Sequence, residues 1–151
     1  MNEITEIMKM NKLILCVLCI FSATLCAQAQ SVFGKWKTIN EETGKANSII
    51  EIYEDGGEVH GKVVRILKEE DRDRRCTNCD GELKDKKIEG LVVMRGLEKD
   101  GEEYSGGLVT DPKSGKEYKC KIWLDEKNPD LLNIRGYIAF FYRTQTWQRV
   151  N

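Results

Sequence analysis

The stretch from Asp111 to Leu124, DPKSGKEYKCKIWL, joins a turn to a strand and carries the pattern that governs the fold. It opens with Asp, Pro, Ser and Gly, which favour a tight chain reversal. In the strand that follows, apolar and charged side chains alternate: Tyr118, Cys120, Ile122 and Leu124 fall on one face, and Glu117, Lys119 and Lys121 on the other. This alternation predicts a β-strand with one buried face and one solvent-exposed face.

The same combination of a turn signal and a short β-rich segment recurs at intervals of roughly ten to fifteen residues, which is typical of a sandwich or barrel built from hairpins. We predict eight strands, at residues 33–40, 47–54, 58–67, 90–97, 103–110, 116–124, 131–137 and 141–149. An open sheet would leave two exposed edges, which closure of the first strand on the last removes. The sequence therefore predicts an all-β fold, an eight-stranded antiparallel up-and-down barrel whose interior is either filled by side chains or large enough for one small ligand.

One connection is long: residues 68–87, KEEDRDRRCTNCDGELKDKK, are rich in charge and contain Cys76 and Cys79. A loop of this length inside a compact domain is usually functional or locally cross-linked. We expect the two cysteines to share an exposed loop and to form a disulfide in an oxidising compartment. A metal half-site and a redox pair are the alternatives, although no helix follows to lower a thiol pKa. Cys120, on the apolar face of its strand, is expected to be a free, buried thiol.

Metal, catalytic and nucleic-acid sites find little support in the sequence. His60 is the only histidine, so a zinc site would lack ligands. No Ser or Cys is placed beside a base, and the G-x-S-x-G pattern is absent. With 24 Lys and Arg against 25 Asp and Glu, the net charge of −1 does not imply nucleic acid or an anionic membrane surface as a partner. We predict no metal and no cofactor, and the residues give no support for an enzyme.

The N-terminal segment has the features of a signal peptide. An apolar run, Leu13 to Phe21, leads to the A-x-A pattern Ala27-Gln28-Ala29. The run is too short for a permanent membrane helix, which is the alternative interpretation. Leucine precedes each cysteine of the segment, which argues against lipidation. We therefore expect a signal peptide at residues 1–29, a barrel domain at residues 30–151, a periplasmic or secreted location and no permanent membrane span.

The two ends of the predicted barrel resemble lipocalin-like (calycin) proteins. Gly34-Lys35-Trp36 opens the first strand, and Trp147-Gln148-Arg149 closes the last. The resemblance implies that Gly34, Trp36, Trp147 and Arg149 close the barrel, with the arginine stacked on the first tryptophan. A purely structural role, a core tryptophan with a cation–π contact, is the plain interpretation of the same residues.

The chain from Gly34 to Arg149 also resembles a bacterial family designated domain of unknown function 2147. The resemblance rests on the segments GKWKT at 34–38, GKV at 61–63, CTNC at 76–79, GL at 90–91, GG at 106–107, DP at 111–112 with GKEY at 115–118, Leu132 with RGY at 135–137, and RTQTWQR at 143–149. It implies an exported calycin-like barrel without an established activity. It supplies no catalytic residues.

A ligand site is one hypothesis for this barrel. Arginines and tyrosines within the predicted strands would form a polar, cationic lining for a carboxylate or another anionic molecule if they point inward: Tyr53, Arg65, Arg95, Tyr118, Arg135 and Arg143. The competing interpretation places the arginines outside, paired with Asp and Glu across strands. Three functions stay open: a binder of a small amphipathic or anionic molecule, a filled structural or protein-interaction module of the cell envelope, and an enzyme that uses the cysteine loop.

Overall fold

Eight antiparallel strands form a closed barrel in the computed structural model, which describes residues 31–150. The strands are β1 (Gly34–Ile39), β2 (Ala46–Asp55), β3 (Glu58–Ile66), β4 (Val92–Asp100), β5 (Glu103–Thr110), β6 (Glu117–Leu124), β7 (Leu131–Ile138) and β8 (Phe141–Arg149). Each strand pairs with its neighbours in sequence, and β1 pairs with β8. The predicted all-β, eight-stranded up-and-down barrel is confirmed. The predicted signal peptide, residues 1–29, lies outside the described residues.

The observed strands follow the predicted ones closely, with the largest difference in β4. This strand begins at Val92 and continues to Asp100, three residues beyond its predicted end. Its last residues, Glu98 to Asp100, pair with Glu103 to Ser105 across a tight hairpin. Backbone hydrogen bonds extend the ladder whatever the side chains are. An apolar pattern alone therefore underestimates the length of the strand.

One end of the barrel is closed by Trp36 and Arg149, which are partners in the short β1–β8 ladder. The Trp36 side chain is fully buried, and its Nε1–H donates to the Val32 carbonyl at 2.8 Å. The Arg149 guanidinium lies 4.2 Å from the centre of the Trp36 ring and donates to the carbonyl oxygens of Ser31 and Pro129. Arg149 thus ties the N-terminal segment and the β6–β7 turn across this end.

The half of the barrel next to this closed end is packed solid. Its inward-facing side chains are fully buried: Trp36, Ile52, Val59, Met94, Leu97, Ile122 and Leu132. Glycines let neighbouring strands approach closely there, since a Cβ on Gly107 would lie 2.5 Å from the Arg95 carbonyl oxygen. Trp147 belongs to the same core, and its buried Nε1–H has no hydrogen-bond partner within residues 31–150. A ligand can therefore enter only from the opposite, open end.

Candidate functional site at the open end of the barrel

The β3–β4 connection, residues 67–91, folds back over part of the open end; we call it the disulfide loop. Cys76 and Cys79 form the predicted disulfide, which is confirmed. The expectation that they lie exposed is wrong, because both cysteines are fully buried together with Ile88 and Leu91. The charged side chains of the loop face solvent, while its apolar residues join the barrel core. The loop thus covers part of the barrel mouth and is held there by the burial of its apolar side chains.

The disulfide loop rests on the β5–β6 turn. The Asn78 side-chain amide donates to the Lys113 carbonyl at 3.0 Å, and the Cys76 sulfur lies 3.4 Å from the Pro112 carbonyl oxygen. Gly115 has a φ of +73°, and a Cβ there would stand 1.8 Å from the Asn78 carbonyl oxygen. This contact between two backbones requires glycine at position 115.

On the other side of the mouth, the inward-facing positions of β7 and β8 are open. Ile134 faces the core opposite Ile122. Strand alternation continues this inward row to Gly136 and Ile138, and their partners on β8 are Arg143 and Phe141. Ile138 is 57 % exposed and Phe141 is 77 % exposed. Apolar side chains that point toward the barrel axis are thus left uncovered.

An open cleft of about 770 Å³ runs between these two sides and continues over the rim onto the outer face at Leu108, Lys119 and Tyr137. Tyr118 and Ile138 line it together with Asn78 and Asp80 of the disulfide loop, and Gly115 and Lys116 of the β5–β6 turn also contribute. The cleft is widely open to solvent. One wall of the cleft is polar and the other is apolar, so the cleft suits an amphipathic molecule.

The six predicted ligand-binding residues do not come together. Tyr118 and Arg143 occupy inward-facing register positions beside Gly136, and Arg143 binds the rim residue Glu41, which raises the pKa of the guanidinium through their hydrogen bond. The remaining predicted residues lie on the outer face of the barrel: Tyr53, Arg65, Arg95 and Arg135. The structure therefore forms no cationic lining inside the barrel.

Among the outer-face arginines within residues 31–150, only Arg95 pairs with a carboxylate as the competing interpretation expects. Arg95 forms an ion pair with Glu117 across strands and also bonds Thr110. Arg135 lies between two aromatic rings, 5.1 Å from the centre of Trp123 and 4.2 Å from that of Tyr142. These contacts hold Arg95 and Arg135 on the outer face of the barrel, away from the inward-facing positions at its mouth.

Sequence reasoning missed Gly136, Ile138 and Phe141, which form the open wall. A signal was present: the segment YIAFFY at residues 137–142 joins two strands without any Gly, Pro, Asn or Asp. Ala139 takes up the turn with a φ of +50°, a conformation that costs a residue with a Cβ about 1 kcal/mol. An apolar, strained turn where a polar one would fold more easily is a marker of function.

The family described as "Uncharacterized protein conserved in bacteria (DUF2147)" matches residues 34–149. The protein belongs to this family. One solved structure is similar in fold: "Protein HP1028 from the human pathogen Helicobacter pylori belongs to the lipocalin family" has a TM-score of 0.68, with 18 % identity, over 80 % of this chain and 84 % of that one. At this identity the likeness shows the lipocalin-like fold alone. No curated protein matches the chain.

Two further observations concern the described part of this DUF2147 protein. Residues 31–150 contain no helix that is long and apolar enough to span a bilayer. Among the same residues, no three or more His, Cys, Asp or Glu side chains are grouped so that they could hold a metal ion.

Cys120 makes stability pH-dependent. It is a free, buried thiol, as predicted, and burial raises its pKa from 9.0 to about 12. In the unfolded chain the thiol loses its proton near pH 9, whereas the folded protein retains it, so the unfolded state is favoured as the pH rises between these values. We expect the free energy of unfolding, measured by urea titration, to fall above about pH 9 and to fall less in Cys120→Ala. Equal slopes in the two proteins would contradict this assignment.

Proposed function

We propose that this protein binds a small amphipathic molecule in the cleft between the disulfide loop and the β7–β8 hairpin. One observation carries the proposal. Ile138, which lines the cleft of about 770 Å³, and its register partner Phe141 occupy inward-facing positions of the hairpin yet stay exposed. Because uncovered apolar surface is unfavourable in water, a wall of this kind on a folded monomer marks a binding site. A ligand with an apolar body would cover it.

The polar surroundings favour an amphipathic ligand over a strongly anionic one. Arg143 at the mouth is already paired with Glu41, and Arg95 and Arg135 bind partners on the outer face. The opposite wall presents the amide of Asn78, the carboxylate of Asp80 and the ammonium of Lys116.

A filled, structural or protein-interaction barrel is the second candidate, and the solid packing of the closed half favours it. Trp36, Met94, Leu97 and Ile122 leave no room for a ligand at that depth. The two functions differ in one respect: a ligand at the mouth needs the open wall, whereas a structural module does not.

The expected export belongs to the same proposal, because an oxidising compartment explains the Cys76–Cys79 disulfide. Native mass spectrometry of the protein from its own host tests both parts at once. We expect a chain that begins at Gln30 and carries an additional small-molecule mass, which is lost on denaturation. An intact leader or a lipidated cysteine would contradict export. A chain without bound mass would favour the filled module.

Gly136→Leu tests the site directly. A Cβ at this position meets only the Tyr118 Cβ, at 3.7 Å, and its φ is not positive, so the barrel tolerates the change while the longer side chain enters the mouth. With anilinonaphthalene sulfonate as an amphipathic probe, we expect fluorescence titration to show affinity at least about tenfold weaker than in wild type.

Arg65→Leu serves as the matched control, since it adds the same apolar side chain at an exposed position on the outer face. We expect it to leave probe affinity unchanged. Equal affinity in wild type and Gly136→Leu would remove the cleft as the binding site.

A further inference from the structure

Within residues 31–150, every exposed large hydrophobic side chain lies at the β7–β8 hairpin tip, residues 137–142: Tyr137, Ile138, Phe140, Phe141 and Tyr142. Phe140, at the apex, is 99 % exposed. It contributes to neither wall of the cleft. Such concentration of apolar surface at one tip is not the scatter of single residues found on most protein surfaces.

We propose that the β7–β8 hairpin tip inserts into the interface of a lipid bilayer. The apolar surface surrounds the hairpin tip on all sides. Ile138 and Phe141 occupy its inner face, Tyr137 and Tyr142 its outer face, and Phe140 the apex. A groove on a partner protein covers one face of a hairpin, whereas a fluid bilayer accepts all sides of it.

The polarity of the side chains changes in order along the hairpin. At roughly 3.3 Å per residue, the paired tyrosines lie roughly 7 Å behind the apex, and the level of Arg143 lies roughly 10 Å behind it. Phenylalanine lies at the greatest depth, tyrosine next with Lys119 at the same level, and the Arg143–Glu41 pair last; this order matches the acyl boundary, the interface and the headgroups of a bilayer. The expected depth of an interfacial apolar segment, about 5–10 Å, is the same.

Positively charged side chains lie near the hairpin tip. Lys119 pairs in register with Tyr137, and Arg135 stacks on Tyr142. Within the described residues, neither Lys119 nor Arg135 forms an ion pair, whereas Arg143 is neutralised by Glu41. Two cations without a carboxylate partner among residues 31–150, Lys119 at the level of Tyr137 and Arg135 behind it, complement phosphate headgroups, although the net charge of the chain is close to zero.

Co-sedimentation with vesicles tests this proposal on the protein purified from its own host. We expect wild type to bind phosphatidylcholine vesicles and to bind more tightly when phosphatidylglycerol is included at low salt. Phe140→Ser should weaken partitioning by about tenfold or more, because the phenylalanine ring would lose its burial. Phe140 has no core contact to lose, so an unchanged melting temperature verifies the fold.

Two controls separate the possible results. Tyr53→Ser, an aromatic change on β2 beside the β2–β3 turn, should leave vesicle binding unchanged, because this end of the barrel is remote from the tip. Gly136→Leu should also retain vesicle binding, so that failure of the ligand site and failure of membrane docking are distinguishable.

Absence of wild-type binding to both vesicles would overturn the proposal, as would a Phe140→Ser variant that binds like wild type. A concentration-dependent dimer that Phe140→Ser abolishes, without vesicle binding, would assign the tip to a second copy instead.

Discussion

Replacing Trp36 with alanine is expected to lower the free energy of unfolding by about 3–5 kcal/mol, the range for truncation of a large buried aromatic side chain. Trp36 is fully buried at the closed end. The substitution removes its packing, its hydrogen bond to Val32 and the ring on which Arg149 stacks. Urea denaturation followed by circular dichroism measures the change. Because the β1–β8 ladder that closes the barrel is short, closure at this seam depends especially on Trp36.

Trp123→Ala provides the matched control. Trp123 lies on the outer face of β6, where Lys121 and Arg135 cover its ring. Its removal costs mainly cation–π contacts, so we expect a loss of about 1 kcal/mol. If Trp36→Ala were no more destabilising than Trp123→Ala, the seam would not depend on Trp36.

Gly115→Ala is expected to destabilise the protein by roughly 3 kcal/mol, the sum of an overpacking cost and the cost of a left-handed conformation. The added Cβ would stand 1.8 Å from the backbone oxygen of Asn78. A change of side-chain rotamer cannot relieve this clash, because the oxygen belongs to the backbone. The disulfide loop must therefore shift from the β5–β6 turn. Because this shift exposes Cys76 and Cys79, we also expect faster reduction of the disulfide by dithiothreitol.

Gly101→Ala separates the two contributions. Gly101 has a φ of +62°, close to that of Gly115, but a Cβ there would meet nothing within 4 Å. It should cost about 1 kcal/mol and leave the rate of reduction unchanged. Equal effects of the two substitutions would show that the contact between Gly115 and Asn78 does not hold the loop.

The barrel was predictable because its signals are local. In β6, Cys120 and Ile122 alternate with lysines, and the turn before them contains proline and glycine. Such patterns depend on neighbours one or two residues away, and hairpins connect each strand to the next one in sequence. The outward position of Arg135 was also predictable, since strict alternation from the inward-facing Ile134 places Arg135 outside.

Arg65 shows where alternation fails. Counting in steps of two from Val59 and Val63, which are buried, assigns Arg65 to the inside. A register shift between Ile49 and Ile50 on β2 leaves one extra residue on β3 and turns Arg65 outward. A bulge changes the face of every residue that follows it. Its position depends on the fit between two strands, so one strand's pattern does not reveal it.

The sequence by itself determined the strands, their order and the pairing of Cys76 with Cys79, because turn chemistry, alternation and a separation of three residues act over short distances. Only the tertiary structure decided that these cysteines are buried and that the charged loop covers part of the mouth. That outcome depends on the approach of Asn78 to Lys113, 35 residues away. The exposure of Ile138 and Phe141 was decided in the same way, since the disulfide loop reaches one side of the barrel mouth and leaves the other uncovered.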